Sequence, residues 1–229
     1  MRGAIEMLQE VARALGPLVD EVVVVGGTIP ALLVTDPAAP TIRPTKDVDL
    51  IVDSQTRQRH ASFEKRLRER GFQIQAPPAC RYGIGEILVD VMTTSSAAMG
   101  FSDRWYAEAF ATAEPMKLPD GSMIRVIRSP LFLATKLNAW LDRGKGDYYA
   151  AQDLEDILAV IDGRPGLVEE IQRSSLEVKA FLSKSFATLL AAQGFLDAIP
   201  GHLGGEAVAG ARAEMAIATM RKIAELGQP

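Results

Sequence analysis

Two different spacings of apolar residues divide the chain. Over residues 1–128, short apolar runs rich in β-branched side chains alternate with stretches of helical spacing, whereas residues 129–229 show helical spacing almost throughout. Ser129-Pro130 lies at the change, and proline is favoured at the first position of a helix. The pattern therefore predicts an α+β fold with a mixed first domain, residues 1–128, and an all-helical second domain, residues 129–229.

The individual elements follow from the same spacings. In the first domain the pattern predicts strands over residues 21–25, 47–52, 72–75 and 86–92, and helices over residues 4–15, 28–34, 56–70 and 103–110. A hairpin is expected around Pro119-Asp120-Gly121, and the prolines of residues 35–45 predict a loop. In the second domain the pattern predicts helices over residues 131–142, 150–161, 165–172, 175–198 and 205–226.

The composition is that of an ordinary globular protein and excludes several classes. The chain is 48% hydrophobic and 24% charged, and its net charge of −4 argues against a basic surface spread over the molecule, while leaving room for a local basic cleft. Cys80 is the single cysteine, which leaves no internal disulfide and no zinc framework. No stretch has the apolar core of a signal peptide or of a membrane span. We therefore expect a cytoplasmic protein without a membrane partner.

Two of the predicted strands carry carboxylates that can share a metal. Asp47 and Asp49 are two residues apart, so their side chains point to one face with α-carbons about 6.6 Å apart. Asp90 lies inside the apolar run of residues 87–92, where an unpaired charge is costly. If the strands are neighbours, the three acids form one cluster, and Mg²⁺ prefers such oxygen ligands. Asp47, Asp49 and Asp90 are thus the candidate metal ligands and catalytic residues.

A glycine pair offers a second candidate feature. Gly26-Gly27 follows a predicted strand and precedes a predicted helix, where backbone amides can bind phosphate oxygens and Thr28 can add a hydroxyl. Each feature alone has a plainer interpretation. An Asp-x-Asp pair is more often the end of a surface strand, Asp90 can be a salt-bridged acid, and a glycine pair is usually tight packing.

Together, however, the segments resemble a known signature. Val25-Gly26-Gly27-Thr28, the Asp-x-Asp segment of residues 43–50 and the strand of Asp90 resemble the polymerase-beta-type nucleotidyltransferase superfamily. Residues 129–139, with Arg143 and residues 152–157, are similar to its AbiEii/AbiGii toxin-like branch. The resemblance covers about residues 20–165. It departs from the signature in a longer spacing between Gly27 and Asp47, which makes residues 35–45 an insertion or a lid, and in Thr28, where the branch often has serine.

The resemblance implies a fold, a reaction and partners. The fold is a nucleotidyltransferase-type mixed sheet with flanking helices, followed by a helical domain that completes the nucleotide site. The reaction is Mg²⁺-dependent transfer of a nucleotide from an NTP to an acceptor. The branch includes toxins of bacterial toxin–antitoxin systems, some of which add nucleotides to the 3′ end of tRNA, so an RNA acceptor and an antitoxin partner are implied. A small-molecule, antibiotic-type nucleotidyltransferase and an inactive nucleotide-binding relative are the alternatives.

Residues outside the carboxylate cluster are also implicated by the resemblance. The implied nucleotide-binding residues are Gly26, Gly27, Thr28, Arg43, Lys46, Lys136, Arg143 and Asp153. An RNA acceptor would further need a local basic path, for which the candidates are Arg43, Lys46, Arg81, Lys136, Arg143 and Lys145.

Plainer roles stay open for several of these residues. Lys136, Trp140 and Arg143 share one helical face, and the alternative is a solvated lysine and arginine beside a core tryptophan. For Asp153, with Asp156 as a supporting acid, the alternative is compensation of a helix dipole, and for Arg43 and Lys46 it is balancing of the acidic cluster. His60 is expected on an exposed helix face and His202 in a loop, each without a catalytic partner.

Overall fold

The structure of the protein is a computed structural model that describes residues 3–75, 78, 80–143, 146–204 and 206–227, and the side chains of all of these except 206–209. Contacts along the chain group it into two compact units. The sheet unit comprises Met1–Ala31 and Pro44–Arg128, and the helical unit comprises Leu32–Arg43 and Ser129–Pro229. Residues 32–43, which precede most of the sheet in sequence, therefore belong to the helical unit by their contacts.

The described part of the sheet unit contains seven strands joined in one sheet. The strands are β1 Val22–Val25, β2 Asp47–Val52, β3 Gln73–Ile74, β4 Arg81–Ile84, β5 Ile87–Thr93, β6 Glu114–Lys117 and β7 Met123–Val126. The helices up to this point in the chain are α1 Ala4–Leu15, α2 Pro30–Leu33, α3 Arg57–Glu69, α4 Ser96–Met99 and α5 Tyr106–Thr112. The chain passes from one unit to the other within α2.

The sheet is mixed, with the strand order β3-β4-β5-β2-β1-β7-β6. β2 pairs with β5 in parallel and with β1 antiparallel, and β1 pairs with β7 in parallel. The hairpins β4–β5 and β6–β7 are antiparallel. All four valines of β1 are buried, as expected for a strand with covered faces in the middle of a sheet. This architecture confirms the predicted α+β fold.

The two strands that carry the candidate acids are fully buried on one face, and on the other face they are partly exposed at the acids. Val48 and Leu50 of β2 and Val89 and Val91 of β5 are fully buried. Asp49 and Asp90, which lie between these residues on the other face, are partly exposed, whereas Ile51, further along the acid face of β2, is buried. Because alternate residues of a strand project to opposite faces, burial of these valines and of Leu50 on one face places the acids together on the other face.

One strand of the sheet is missing from the sequence prediction. β4 contains Gly83, which disfavours a strand, and Arg81, which breaks the apolar run. The sequence signal for this strand is the pair Gly85-Glu86 between Ile84 and Ile87, because a two-residue loop beginning with glycine is typical of a hairpin. Gly85 has the positive φ, 56°, that such a turn requires.

The helical unit continues with six helices in its described residues. They are α6 Ser129–Arg143, α7 Gln152–Gly163, α8 Leu167–Gln172, α9 Leu176–Leu190, α10 Gln193–His202 and α11 Glu206–Glu225. None of the helices in the described part of the chain combines the length and the apolar character needed to cross a membrane. These helices confirm the predicted all-helical C-terminal region.

The prediction of one helix over residues 175–198 is wrong. Ala192 adopts an extended conformation, with φ −94° and ψ 109°, and separates α9 from α10. The break buries Phe195 completely, and its ring packs edge-on against Tyr148 at 6.0 Å between centroids. Apolar residues continue with helical spacing across the break, so the pattern alone could not reveal it. Pro200, predicted to end the helix, lies inside α10, whose last residue is His202.

The loop of residues 35–43 is held firmly against the helical unit. The amides of Thr35 and Asp36 donate to the carbonyl of Gly163, at the end of α7. Arg212 of α11 donates to the Ala38 carbonyl at 3.0 Å, and it also bonds Asp36 and Asp162. A lid would need a loop with few such contacts. The interpretation of this segment as a lid is therefore not supported by its bonding, and it is an integral part of the unit.

We expect Arg212→Met to destabilise the protein by about 3 kcal/mol, because it leaves the carboxylate of Asp162 buried without its charge partner. That carboxylate is 2% exposed. The measurement is urea unfolding followed by circular dichroism. The matched control is Arg66→Met, which removes a bidentate pair with Glu21 whose two side chains are each 43% exposed, and it should cost less than about 1 kcal/mol. Equal losses in the two variants would show that the loop is not held through Arg212.

Candidate active site

The pairing of neighbouring strands brings the three predicted catalytic acids to one face of the sheet unit. Asp49 lies opposite Asp90 in the parallel β2–β5 ladder, and Asp47 follows on the same face of β2. In the next ladder Asp90 lies opposite Arg81 of β4. The result is a row of charged residues across three adjacent strands, in the order Arg81, Asp90, Asp49.

Arg81 supplies positive charge between the acids. Its Nε and Nη2 donate to the two carboxylate oxygens of Asp90 at 2.8 and 2.7 Å, and Nη2 also reaches Asp47 at 3.3 Å. The hydrogen bonds with Asp90 raise the pKa of the Arg81 guanidinium further above its already high value. The acids repel one another and need a cation beside them. In this structure that cation is the guanidinium of Arg81. The sequence pattern places Arg81 only in a candidate basic path and does not reveal this contact, because it does not predict β4.

Gly26 and Gly27 are placed beside Asp49. The Gly27 amide points to the Asp49 Oδ2 atom at 3.4 Å. Gly26 has φ 73°, and a Cβ atom added there would lie 1.8 Å from the same oxygen. Only glycine therefore allows the Asp49 carboxylate to approach the turn. The phosphate-binding role predicted for the pair remains a prediction, and the packing role is visible.

Two residues next to the acids differ in exposure. Thr28 is completely buried, and its hydroxyl has no hydrogen-bond partner among the residues that the structure describes. Lys46 is exposed, immediately before Asp47. Thr45, on the other side of Lys46, donates its hydroxyl to the Asp47 carboxylate at 3.0 Å and helps to orient it. The predicted nucleotide contacts of Thr28 and Lys46 remain predictions.

The donor set of this face suits a magnesium ion in chemistry. Three carboxylates on one sheet face offer the hard oxygen ligands that Mg²⁺ prefers. In the arrangement seen, no group of three acidic, histidine or cysteine side chains within the described residues is placed to hold a metal. Arg81 occupies both oxygens of Asp90 and one oxygen of Asp47. The three carboxylates therefore suit Mg²⁺ in residue type and in strand register, provided that the ion displaces the Arg81 guanidinium from them.

A second charged cluster lies in the helical unit. The Lys136 ammonium of α6 lies 3.1 Å from Asp153 and 2.6 Å from Asp156, both on α7. Arg43 donates two hydrogen bonds to Asp156 at 2.8 and 2.9 Å, and Arg143 donates to Asp153 at 3.0 Å. The structure therefore brings together the predicted residues Arg43, Lys136, Arg143 and Asp153, and adds Asp156.

Burial makes this cluster tight. Asp156 is 1% exposed between its two cations, and Lys136 is 12% exposed. Burial alone would lower the pKa of Lys136, but the charges of Asp156 and Asp153 outweigh it and raise that pKa above its usual value. The alternative of a solvated lysine is therefore wrong, whereas Arg143 is 72% exposed. Trp140 has the plain core role, since it is buried and its indole N–H donates to the Asp147 carbonyl.

Both histidines lie in surroundings other than those predicted from the sequence. His60, predicted to be exposed, is 6% exposed on α3, and its nearest charged partner is Glu64 at 3.6 Å. Burial lowers the pKa of His60, and Glu64 offsets this only in part. His202, predicted in a loop, ends α10 and contacts the Tyr148 carbonyl at 2.8 Å. With Arg43 and Asp156 it lines a pocket of the helical unit.

Comparisons with known proteins identify the fold. No protein-family model matches the chain, and no curated protein matches it. Among solved structures, it is similar to an antigenic nucleotidyltransferase-like protein of Paracoccidioides brasiliensis, with 19% identity, a TM-score of 0.54 and coverage of 88% of this chain and 92% of the other. It is also similar to JHP933 of Helicobacter pylori, with 12% identity, a TM-score of 0.53 and coverage of 100% and 94%.

A further Helicobacter pylori structure, of a protein provisionally identified as a nucleotidyltransferase, has 11% identity and a TM-score of 0.52, with coverage of 100% of this chain and 97% of the other. At these identities the likeness concerns the fold. The chain therefore has the fold of nucleotidyltransferase-like proteins, in agreement with the superfamily resemblance of its motifs. Membership of the AbiEii/AbiGii branch stays a prediction.

We expect Gly26→Ala to cost at least about 2 kcal/mol more stability than Gly121→Ala. Both glycines have a positive φ, 73° and 90°, so both variants carry similar backbone strain. Only the new methyl group at residue 26 collides with Asp49, since no described atom lies within 4 Å of the corresponding Cβ position at Gly121. Urea unfolding of the two variants measures the difference. Equal losses would mean that Asp49 moves aside freely.

The buried His60 predicts a pH-dependent stability. Its pKa is lowered by folding, so the unfolded chain binds more protons below its own pKa of about 6.5. Its contribution to stability is full above that pH and is lost as the pH falls toward the lowered native value. Unfolding free energies of the wild type and His60→Gln should therefore converge on acidification from pH 7.5 to 5, by at most about 1.4 kcal/mol per pH unit. A constant difference would contradict the assignment.

Proposed function

We propose that the protein transfers a nucleotide from an NTP to an acceptor in a magnesium-dependent reaction. The observation that carries this proposal is the register of β2 and β5, which aligns Asp49 with Asp90 and keeps Asp47 on the same face. The nucleotidyltransferase-like fold supports the same conclusion. A cytoplasmic setting, where NTPs and magnesium are plentiful, is part of the proposal.

Asp47, Asp49 and Asp90 are the residues that would hold the ion. Bound there, magnesium would neutralise phosphate charge and favour ionisation of the attacking hydroxyl. The chain's own residues hold the acids in place for that role: the Thr45 hydroxyl orients Asp47, and the Gly26-Gly27 turn receives Asp49. We assign Gly27 and Lys46, beside these acids, to the phosphates of the nucleotide.

The cluster of the helical unit is proposed to bind phosphate through its cations. Lys136 and Arg43 are held by Asp156 and Asp153, which fixes the position of both positive charges. A lysine fixed in this way is a suitable point charge for a phosphate oxygen. Arg143, which is mostly exposed, has room to turn toward a ligand.

The acceptor can be RNA or a small molecule, and different observations favour each. The motifs that resemble the toxin-like branch support a tRNA acceptor and a toxin role with an antitoxin partner. The ion pairs favour a small hydroxylated acceptor, because four of the six cations of the predicted basic path have carboxylate partners: Arg43, Arg81, Lys136 and Arg143. Lys145, also counted in that path, lies outside the described residues.

A labelling experiment tests the proposal. The full chain is incubated with Mg²⁺, each α-labelled NTP in turn, and either total tRNA or a set of hydroxylated small molecules, antibiotics included. We expect one acceptor class to become labelled, and Asp49→Asn to lower the rate at least about 100-fold, since the lost charge stabilises the transition state. The control is Arg66→Met, which lies outside the site and should retain the wild-type rate.

The outcomes separate the two acceptors. Labelled RNA whose yield falls steeply with salt supports the toxin hypothesis, because each RNA phosphate that the protein neutralises releases counterions. Labelled small molecules with a shallow salt response support the antibiotic-type enzyme. Unchanged activity in Asp49→Asn would contradict the catalytic assignment. If no acceptor is labelled and no NTP binds, the chain is an inactive member of the fold.

A further inference from the structure

The cation between Asp47 and Asp90 is a side chain of the protein itself. Arg81 contacts both acids through one guanidinium, with a bidentate bond to Asp90. Its position shows that this face of the sheet unit binds a positive charge at the point where the two carboxylates converge. A metal ion held by the same oxygens would need the same place.

The fold builds this contact into the chain. The two-residue turn Gly85-Glu86 pairs Ile84 with Ile87, and continuing the same ladder places Arg81 opposite Asp90. Paired residues of an antiparallel ladder project to the same face. Arg81 therefore meets Asp90 through backbone register, and the contact does not depend on a chance rotation of a surface side chain.

The guanidinium can leave only by exchange. Arginine keeps its charge at any ordinary pH, so deprotonation of the guanidinium cannot empty this position. Its side chain is 28% exposed and that of Asp47 is 31% exposed, so solvent and ions reach the pair, whereas Asp90 is 13% exposed. Removing the cation without replacement would leave like charges facing each other across adjacent strands.

We propose that Arg81 and a divalent metal ion are alternative occupants of the Asp47–Asp90 pair, so that metal binding displaces the guanidinium of Arg81. This inference rests on the proposed function, which supplies the metal. Arg81 stabilises the acidic face before metal arrives and competes with metal for it. The apparent metal affinity of the protein is lower than the carboxylates alone would give, by the free energy of the Arg81 contacts.

Calorimetric titration of the full chain with MnCl₂, without nucleotide, tests the competition. Arg81→Met should bind Mn²⁺ at least about tenfold more tightly than the wild type, a change of about 1.4 kcal/mol. The matched control is Arg66→Met, which removes another bidentate arginine–carboxylate pair of the same unit, with Glu21. It should leave the Mn²⁺ affinity unchanged. Equal or weaker Mn²⁺ binding by Arg81→Met overturns the inference.

A second measurement needs no variant and decides the matter if Arg81→Met does not fold. The wild type is treated with phenylglyoxal, which modifies accessible guanidinium groups, with and without Mg²⁺, and the modified residues are mapped by mass spectrometry. Mg²⁺ should increase modification of Arg81 several-fold and leave Arg66 unchanged. Equal modification of Arg81 in both conditions overturns the inference.

Failure of this inference is distinguishable from failure of the proposed function. If the wild type transfers nucleotide but Arg81→Met shows no gain in Mn²⁺ affinity, only the exchange is wrong. If Mn²⁺ binding tightens in Arg81→Met but no nucleotide is transferred, the exchange stands and the proposed function fails. If the wild type and Arg81→Met both bind no Mn²⁺, both proposals fail together.

Discussion

The parallel pairing of β2 with β5 places Asp49 opposite Asp90 and leaves Asp47 on the same face. Carboxylates at such spacing repel one another, so the face is stable only with a cation among them. β4 provides it as Arg81, and the Gly26-Gly27 turn leaves space for Asp49. The hairpin β4–β5 thus meets an electrostatic requirement of this face, and the glycine turn meets a steric one.

The helical unit shows the opposite arrangement of charge. There a buried acid, Asp156, lies between two cations, Lys136 and Arg43. Removing either cation would leave part of a buried negative charge unpaired, which makes these cations structural as well as candidate ligands. In the sheet unit a single cation lies between acids and is partly exposed, so it can be replaced from solvent. One cluster is therefore suited to holding its cations and the other to exchanging one.

Local patterns were sufficient for most of the fold but not for every partner in the candidate site. The valines of β1 and the alternation in β2 and β5 predicted the centre of the sheet, and period two placed Asp47 and Asp49 on one face. The contact of Arg81 with Asp90 depends on β4, and Gly83 makes that strand difficult to predict from the sequence pattern. The partner of Arg43 is 113 residues away on α7, and no local spacing reports such a contact. His60 was misjudged because a charged helix can still turn one polar residue inward.

Residues 32–43 belong to the helical unit although the rest of that unit begins at Ser129. The consequence concerns the order in which the protein is made. During synthesis this segment leaves the ribosome long before its partners, since the hydrogen bond from Arg212 to Ala38 spans 174 residues. A contact of such sequence separation carries a large loop-closure entropy and forms late. Until α11 is synthesised, Asp36 and the Ala38 carbonyl lack the guanidinium of Arg212, so the helical unit can be completed only after this helix has emerged.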